Sequence, residues 1–166
     1  MNLSGINYES IVDGPGVRLV LYVSGCRHYC EGCHNPSTFS FTTGKEYTQE
    51  VHDEVIEYLR NHDYISGVTL SGGDPMYSAS DVEKLILDIR QEFPAISIWL
   101  YSGFTFEQAM TQPEMRRVLN QCNVMVDGVF LQEERDVTLP FRGSRNQRLI
   151  DVEASIIAGE AVELEL

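Results

Sequence analysis

The segment VRLVLYVSGCRHYCEGC, residues 17–33, joins a short apolar run to three closely spaced cysteines. Residues 17–24 are mostly apolar or β-branched and too few for a typical helix, which predicts a buried strand. Cys26, Cys30 and Cys33 follow it in a C-x3-C-x2-C pattern. A structural zinc ion is closed by four ligands, whereas a [4Fe–4S] cluster on three thiolates leaves one iron open. The spacing therefore favours a reactive centre at the end of a strand.

Apolar runs and amphipathic segments alternate along the rest of the chain. Further strands are predicted at residues 68–70, 96–101, 124–126 and 148–152, with a possible short one at the end of the chain. Helices are predicted at residues 48–61, 80–93 and 106–121, the last with a break near Pro113, and loops at residues 25–47 and 130–148. Ser80 and Glu83 have the spacing of a capping box. This alternation predicts βαβ units and a parallel sheet.

The length limits the architecture to one α/β domain over residues 1–166. A closed (β/α)8 barrel takes about 250 residues, so we expect an incomplete, open (β/α) barrel of five or six mostly parallel strands. Right-handed crossovers place the carboxyl ends of such strands at one edge.

A small polar residue and a glycine end each predicted central strand. The pairs are Ser24-Gly25, Ser71-Gly72, Ser102-Gly103 and Asp127-Gly128. Glycine lets a ligand approach the backbone closely, although it also simply begins loops. Four pairs at the edge that carries the cysteines favour a ligand site there.

The charge and the cysteine content exclude several classes of function. The chain has 12 basic and 25 acidic residues and a formal charge of −13, which argues against nucleic acid as a partner. It lacks both an apolar run long enough for a membrane helix and a secretory signal. We therefore expect a cytoplasmic protein whose cysteines are reduced and bind metal. Cys122, far from the others, is expected to be a buried free thiol.

Together with the motif SGGDP at residues 71–75, the cysteine pattern resembles the radical S-adenosylmethionine (SAM) superfamily. Three further motifs point to one subfamily within this superfamily: DGPGVR at residues 13–18, GCHN at residues 32–35 and RGSRNQR at residues 142–148. Over nearly the whole chain, the sequence is similar to the glycyl-radical enzyme activases that serve anaerobic ribonucleoside-triphosphate reductases.

The resemblance implies an oxidoreductase that uses two cofactors. Cys26, Cys30 and Cys33 would hold a [4Fe–4S] cluster whose fourth iron is chelated by SAM. One electron, from a low-potential donor such as flavodoxin, would split SAM into methionine and a 5′-deoxyadenosyl radical. That radical would take a hydrogen from a glycine of the reductase, and an incomplete barrel would leave a mouth wide enough for this protein loop. The cofactors carry the chemistry, while the protein orients them and excludes water.

The expected SAM contacts are Gly32, Cys33, His34, Gly72, Gly73, Asp74, Ser102 and Asp127. Carbonyls of the glycine pair suit the SAM ammonium, with Asp74 as a charged acceptor. Two of these positions depart from the superfamily, which more often has Glu at Asp74 and an aromatic residue at Gly32. Which group covers the adenine therefore stays open between the His34 side chain and the backbone of residues 32–34.

Several residues have two interpretations. Asp127 and Ser102 are placed to contact SAM or to cap the turns that they begin. Arg142, Arg145 and Arg148 suit carboxylates of SAM or of an acidic partner, or else belong to a solvated loop.

Two other functions stay open. One is a radical SAM enzyme acting on a small molecule, of the deazaguanine-forming type, which would need a tighter and more polar pocket. The other is a non-catalytic zinc-binding module with His28 or His34 as the fourth ligand.

Overall fold

Seven strands form one sheet in the computed structural model, which describes residues 1–166. The strands are β1 (Asn2–Ser10), β2 (Arg18–Val23), β3 (Lys45–Glu46), β4 (Gly67–Gly72), β5 (Ser97–Ser102), β6 (Val124–Asp127) and β7 (Arg148–Asp151). Their order in the sheet is β3-β1-β2-β4-β5-β6-β7. Because β3 and β7 lie at opposite ends of this order and do not pair, the sheet is open.

The middle of the sheet is parallel and its margins are antiparallel. Strand β2 pairs with β4, β4 with β5, and β5 with β6, all in parallel. Strands β1 and β7 flank this group in antiparallel orientation, and β3 adds a short antiparallel pair to β1. The α/β class is confirmed, and the number of strands is seven instead of the predicted five or six.

Five α-helices connect or follow the strands. They are α1 (Gln49–Asn61), α2 (Ala79–Glu92), α3 (Phe106–Thr111), α4 (Pro113–Leu119) and α5 (Val152–Ala158). The predicted break near Pro113 is confirmed, since this proline begins α4, where the missing N–H has no helical partner to lose. None of the helices combines the length and the apolar character that a membrane-spanning helix needs.

The capping box predicted at Ser80 and Glu83 is wrong. A 3-10 turn at Pro75–Ser78 runs directly into α2, so that Ser80 already lies inside the first helical turn. A capping box does exist at the start of α3, where Thr105 and Gln108 bond to each other's main-chain N–H groups.

The margins of the sheet and α5 were not predicted from the sequence. Strand β1, with the sequence NLSGINYES, lacks an apolar period and forms because the outer edge of β2 needs a partner for its backbone groups. The loop predicted at residues 25–47 contains a 3-10 turn and β3. The short strand expected at the end of the chain is reduced to one bridge between Ile150 and Glu163.

All five helices cover the same face of the sheet. Their buried residues, including Leu59, Ile86 and Val118, belong to one cluster of 26 residues with the inward side chains of the strands. The opposite face carries a small cluster of Trp99, Val124, Val126 and Leu149, with no helix residue in it. A doubly wound sheet has helices on both faces, whereas the wall of a (β/α) barrel has them on one. The second face is thus left for loops and for a site.

Candidate functional site

The carboxyl ends of β2 and β4 are joined by main-chain hydrogen bonds. The N–H of Gly73 donates to the carbonyl of Val23 at 2.8 Å, and the N–H of Asp74 donates to that of Gly25 at 2.9 Å. A Cβ atom on Gly73 would lie 2.7 Å from the Gly25 oxygen and 2.8 Å from the Thr38 oxygen, so that only glycine fits there. The turn after β4 is therefore packed directly against the start of the cysteine loop.

The three clustered cysteines lie on the loop that follows β2. Cys26 is buried, Cys30 and Cys33 are half-buried, and all are free thiols. The loop turns tightly: the N–H of Cys33 donates to the Cys30 carbonyl at 3.2 Å, and Gly32 has a φ of 75°. Burial raises the pKa of the Cys26 thiol to about 11, the main-chain N–H of His28 opposes this shift, and nearby Asp74 and the other two thiols add to it. A thiolate at Cys26 therefore needs a cationic partner such as a metal.

The donor set fits a three-thiolate iron–sulfur cluster better than a single metal ion. No three His, Cys, Asp or Glu side chains converge as ligands for one ion. A zinc module would also need a fourth ligand. His28 is turned away, with its Nε2 atom 2.6 Å from Asp74 Oδ2, and the exposed His34 forms no such ligand group with the cysteines. Three thiols on one loop match a [4Fe–4S] cluster that keeps one iron open.

Asp74 is the buried centre of this edge, with 1% of its surface exposed. Its Oδ1 accepts from the N–H of Met76 at 2.9 Å. Its Oδ2 accepts from the Ser102 hydroxyl and from the Gly103 N–H, each at 2.9 Å, in addition to its contact with His28. Both oxygens are thus used to tie the cysteine loop to the ends of β4 and β5.

The imidazole of His28 fills an aromatic niche above Asp74. Its ring lies 4.8 Å from the centroid of Phe104, edge to face, and 5.3 Å from that of Tyr77. A Cβ atom on Gly103 would lie 2.5 Å from the His28 ring, so the glycine makes room for the imidazole. From the sequence, His28 was expected only as a possible zinc ligand, and this role was not predicted; the available signal was its position between Cys26 and Cys30.

The carboxylate of Asp127 accepts hydrogen bonds from a different set of residues. Its Oδ2 accepts from the N–H of Phe106 at 2.7 Å, and its two oxygens accept from Arg148 at 3.0 and 2.5 Å. Arg148 also contacts Glu107 at 2.7 Å, and these carboxylates raise the pKa of its guanidinium. The Asp127 side chain therefore joins β6, α3 and β7, and Arg148 is already paired inside the protein.

A cavity of about 660 Å³ opens beside the cysteine loop. Gly32 and His34 line it from the cysteine loop, and Asp13 and Tyr101 line it from the sheet side. Asp13 and Tyr101 were not predicted as site residues, because neither lies in a cysteine or strand-end motif. The structure brings Gly32 and His34 to this cavity, whereas Asp74, Ser102 and Asp127 have their side chains bonded within the protein.

The segment of residues 130–147, here called the flap, forms the far wall of the cavity. Gln147 holds it, accepting from the N–H groups of Gly143 and Ser144 at 3.0 and 3.2 Å and donating to the Gly128 carbonyl at 2.9 Å. A Cβ atom on Gly32 would collide with Gln132 of the flap. The flap therefore rests against the cysteine loop between Cys30 and Cys33.

The three arginines of the motif RGSRNQR, residues 142–148, have different environments. Arg148 is paired with carboxylates, and Arg145 is exposed. Arg142 lines the cavity, and its Nε is buried without a hydrogen-bond partner. Of the three, Arg142 is the one that can receive a carboxylate ligand in the cavity.

Residues 12–150 match the family model described as a 4Fe-4S single cluster domain. Three similar proteins carry the name anaerobic ribonucleoside-triphosphate reductase-activating protein. That of Vibrio cholerae serotype O1 is 44% identical over 140 residues, covering 82% of this chain and 89% of its own. That of Escherichia coli K12 is 41% identical over 141 residues, covering 82% and 90%. That of Enterobacteria phage T4 is 38% identical over 151 residues, covering 87% and 93%.

Proposed function

The chain belongs to the family of anaerobic ribonucleoside-triphosphate reductase-activating proteins, and on that premise we propose that it installs a glycyl radical on such a reductase by reductive cleavage of SAM. The observation that carries the proposal is the position of three free thiols at the carboxyl edge of a parallel sheet, beside a cavity. Ligands of parallel α/β folds bind at this edge.

Cys26, Cys30 and Cys33 would hold the [4Fe–4S] cluster, with SAM at its open iron. When bound, the cluster supplies one electron to the SAM sulfonium, which yields methionine and a 5′-deoxyadenosyl radical that becomes 5′-deoxyadenosine on taking a hydrogen atom from the reductase glycine. The electron comes from a low-potential donor of the flavodoxin type, in the cytoplasm. The protein's own part is to orient the two cofactors and to exclude water.

We propose that main-chain groups make most of the SAM contacts. The carbonyls of Gly72 and Gly73 would accept from its ammonium group, and Gly32, Cys33 and His34 would cover the adenine side. Because the side chains of Asp74, Ser102 and Asp127 are bonded within the protein, their contacts with SAM would be made through the backbone of the same strand ends.

Arg142 is proposed to bind a carboxylate in the cavity. The guanidinium has one weak contact, at 3.4 Å with the carbonyl of Pro140, and a buried Nε without a partner. A carboxylate of SAM or of the reductase would satisfy it with charge-assisted hydrogen bonds.

The rim of the cavity favours a polypeptide substrate over a small molecule. Ile11, Val12 and Val137 line the cavity and are 72%, 70% and 78% exposed. These residues come from the β1–β2 connection and from the flap, on two sides of the opening. Exposed aliphatic side chains around an opening are typical of protein contact sites. A deazaguanine-type enzyme would need a tighter and more polar pocket, and an incomplete barrel would give a protein loop access.

The proposal is tested by anaerobic reconstitution with iron and sulfide. A brown protein with about four irons per chain is expected. Addition of SAM and a strong reductant should release 5′-deoxyadenosine. Electron paramagnetic resonance should then detect an organic radical only when the reductase is present. A colourless protein that retains one zinc ion would contradict the proposal, and SAM cleavage without any radical on the reductase would favour a small-molecule substrate.

A further inference from the structure

His28 is bonded to a residue far away in the sequence rather than to the cysteines beside it. Its Nε2 lies 2.6 Å from Asp74 Oδ2, across 46 positions of the chain, and only 13% of its side chain is exposed. The same oxygen also accepts from Ser102 and Gly103, so it acts as an acceptor and the imidazole Nε2–H as a donor.

The surroundings are shaped for an imidazole at this position. Phe104 and Tyr77 pack on the ring, and Gly103 has no Cβ that would displace it. Asp74 is held in turn by the main chain of Met76 and Gly103, which belongs to the turns that follow β4 and β5. The ring is therefore attached to the ends of two central strands of the parallel sheet.

This attachment controls the first part of the cysteine loop. His28 lies between Cys26 and Cys30, two residues from each. Because the ring holds the backbone of residue 28, it also restricts the movement of these two thiols. The solvent exposure of an iron–sulfur cluster and the groups around its sulfurs are among the factors that set its reduction potential.

We infer that His28 is a positioning residue: its ring, held by Asp74, orders the cysteine loop before the cluster binds. The inference rests on the proposed function in taking Cys26 as a cluster ligand. In this inference, the side chain of Asp74 bonds to other protein groups and holds the cysteine loop, and does not contact the ligand.

The first test uses the metal-free protein and so does not depend on SAM chemistry. The rate of alkylation of Cys26 is compared with that of Cys122, a buried cysteine away from the loop, by mass spectrometry. His28→Ala should raise the Cys26 rate by about tenfold or more, since loss of a charge-assisted hydrogen bond makes loop opening easier by about that factor. His28→Gln, which keeps a donor near the same place, should restore a rate close to that of the parent.

Tyr29→Phe is the matched control, because Tyr29 is exposed on the same loop and its hydroxyl makes no hydrogen bond. It should leave the Cys26 rate unchanged. An equal rate in His28→Ala and in the parent would overturn the inference.

The second test measures the reduction potential of the reconstituted protein by a titration followed with electron paramagnetic resonance. His28→Ala should shift the potential away from that of the parent, because a loosened loop changes the solvent exposure of the cluster, and His28→Gln should return it towards that of the parent. Unchanged potentials in both variants would overturn the inference. It would also be overturned if both variants lost iron equally while Cys26 was alkylated at the parent rate, because His28 would then be a ligand of the cluster. A failure of the proposed function would instead appear in the parent, as a protein that does not cleave SAM.

Discussion

At the scale of single residues, the buried carboxylate of Asp74 is bonded to four different residues at the site. Four donors from three parts of the chain converge on it. A buried acceptor with this many donors cannot be replaced by a group that itself donates, because a donor would then face other donors. The motif after β4 is thus a structural junction as well as a proposed ligand site.

We expect Asp74→Asn to lower the free energy of unfolding by about 2–3 kcal/mol, since hydrogen bonds to a charged group are lost and an amide N–H₂ faces other donors. Denaturant unfolding of the metal-free protein measures this change. Asp63→Asn, at an exposed position, is the control and should stay within about 0.5 kcal/mol of the parent. A similarly small effect of Asp74→Asn would show that the junction does not support the fold.

A second residue-scale prediction concerns the ion pair between Arg148 and Glu107. Hydrogen bonds from Arg148 hold the pKa of Glu107 below its ordinary value. Because the folded-state pKa is the lower one, the contribution to stability is present above about pH 4.3 and is lost as the pH falls through the folded-state pKa. Glu107→Gln should therefore be less stable than the parent at pH 7, by less than about 1 kcal/mol for a mostly exposed pair.

The difference between Glu107→Gln and the parent should shrink as the pH is lowered from about 7 towards about 3, because the Glu107 carboxyl takes up a proton as the pH falls through its folded-state pKa. Urea unfolding at both pH values checks it. Glu160→Gln, at an exposed position just after the end of α5, should show no such dependence on pH. A difference that grows at low pH would have the wrong sign for this mechanism.

At the scale of elements, the flap is the part of the site with the least regular structure. It has a 3-10 turn at Gln132–Glu134 and one bridge between Arg135 and Ser144, and otherwise depends on side chains that reach back to its ends. Tyr101 donates to the Phe141 carbonyl at 2.7 Å, and Gln147 bonds to both ends of the segment. The motif RGSRNQR at residues 142–148 thus has a structural role, which is to hold the flap in place.

Gln147→Ala should loosen the flap without unfolding the sheet. Loss of three hydrogen bonds is expected to make local opening easier by about 1–3 kcal/mol, which corresponds to roughly tenfold or more in the opening equilibrium. Limited trypsin digestion, with cleavage after Arg135, Arg142 or Arg145, should become faster by that factor. Gln91→Ala, on the exposed side of α2, should be cut at the parent rate. Equal rates in both variants would contradict the anchoring role of Gln147.

At the scale of the whole molecule, the helices are confined to one face of the sheet, which leaves the other face to loops and the cavity. The β1–β2 connection and the flap meet across this face and place aliphatic residues on the rim. The cysteine loop lies at the end of the same cavity. A partner that contacts the rim would therefore come directly to the proposed cluster.

Val137→Asp should raise the apparent KM for the reductase by about tenfold, because a carboxylate at an apolar contact has to be desolvated on binding. Radical yield measured at several reductase concentrations determines this value. The matched control is Ile157→Asp, since Ile157 is also an exposed aliphatic residue, at 80%, but lies on α5. If both variants have the parent KM, the rim is not the contact surface.

The central strands and the cysteine centre were predictable from the sequence alone. Strands β2, β4, β5 and β6 are buried under the helices on one face and mostly under loops on the other, so each appears as a short run of mostly apolar residues, too short for a typical helix. The C-x3-C-x2-C spacing is equally local, since three thiols in one short loop stay near each other in any fold. The buried state of Cys122 was predicted on similar grounds and is confirmed.

The partners of the polar residues were decided by the tertiary structure. Asp74 meets His28, and Asp127 meets Arg148, because the order of strands in the sheet brings positions far apart in sequence to one edge. Strand β1 likewise forms through the free edge of β2 and not through its own composition. Local patterns report burial and backbone preference, whereas the hydrogen bond that a side chain makes depends on which distant residue the fold places beside it. For this protein the sequence by itself determined the cysteine loop and the central strands, and the packing of strand ends decided which residues line the cavity and which have their side chains bonded within the protein.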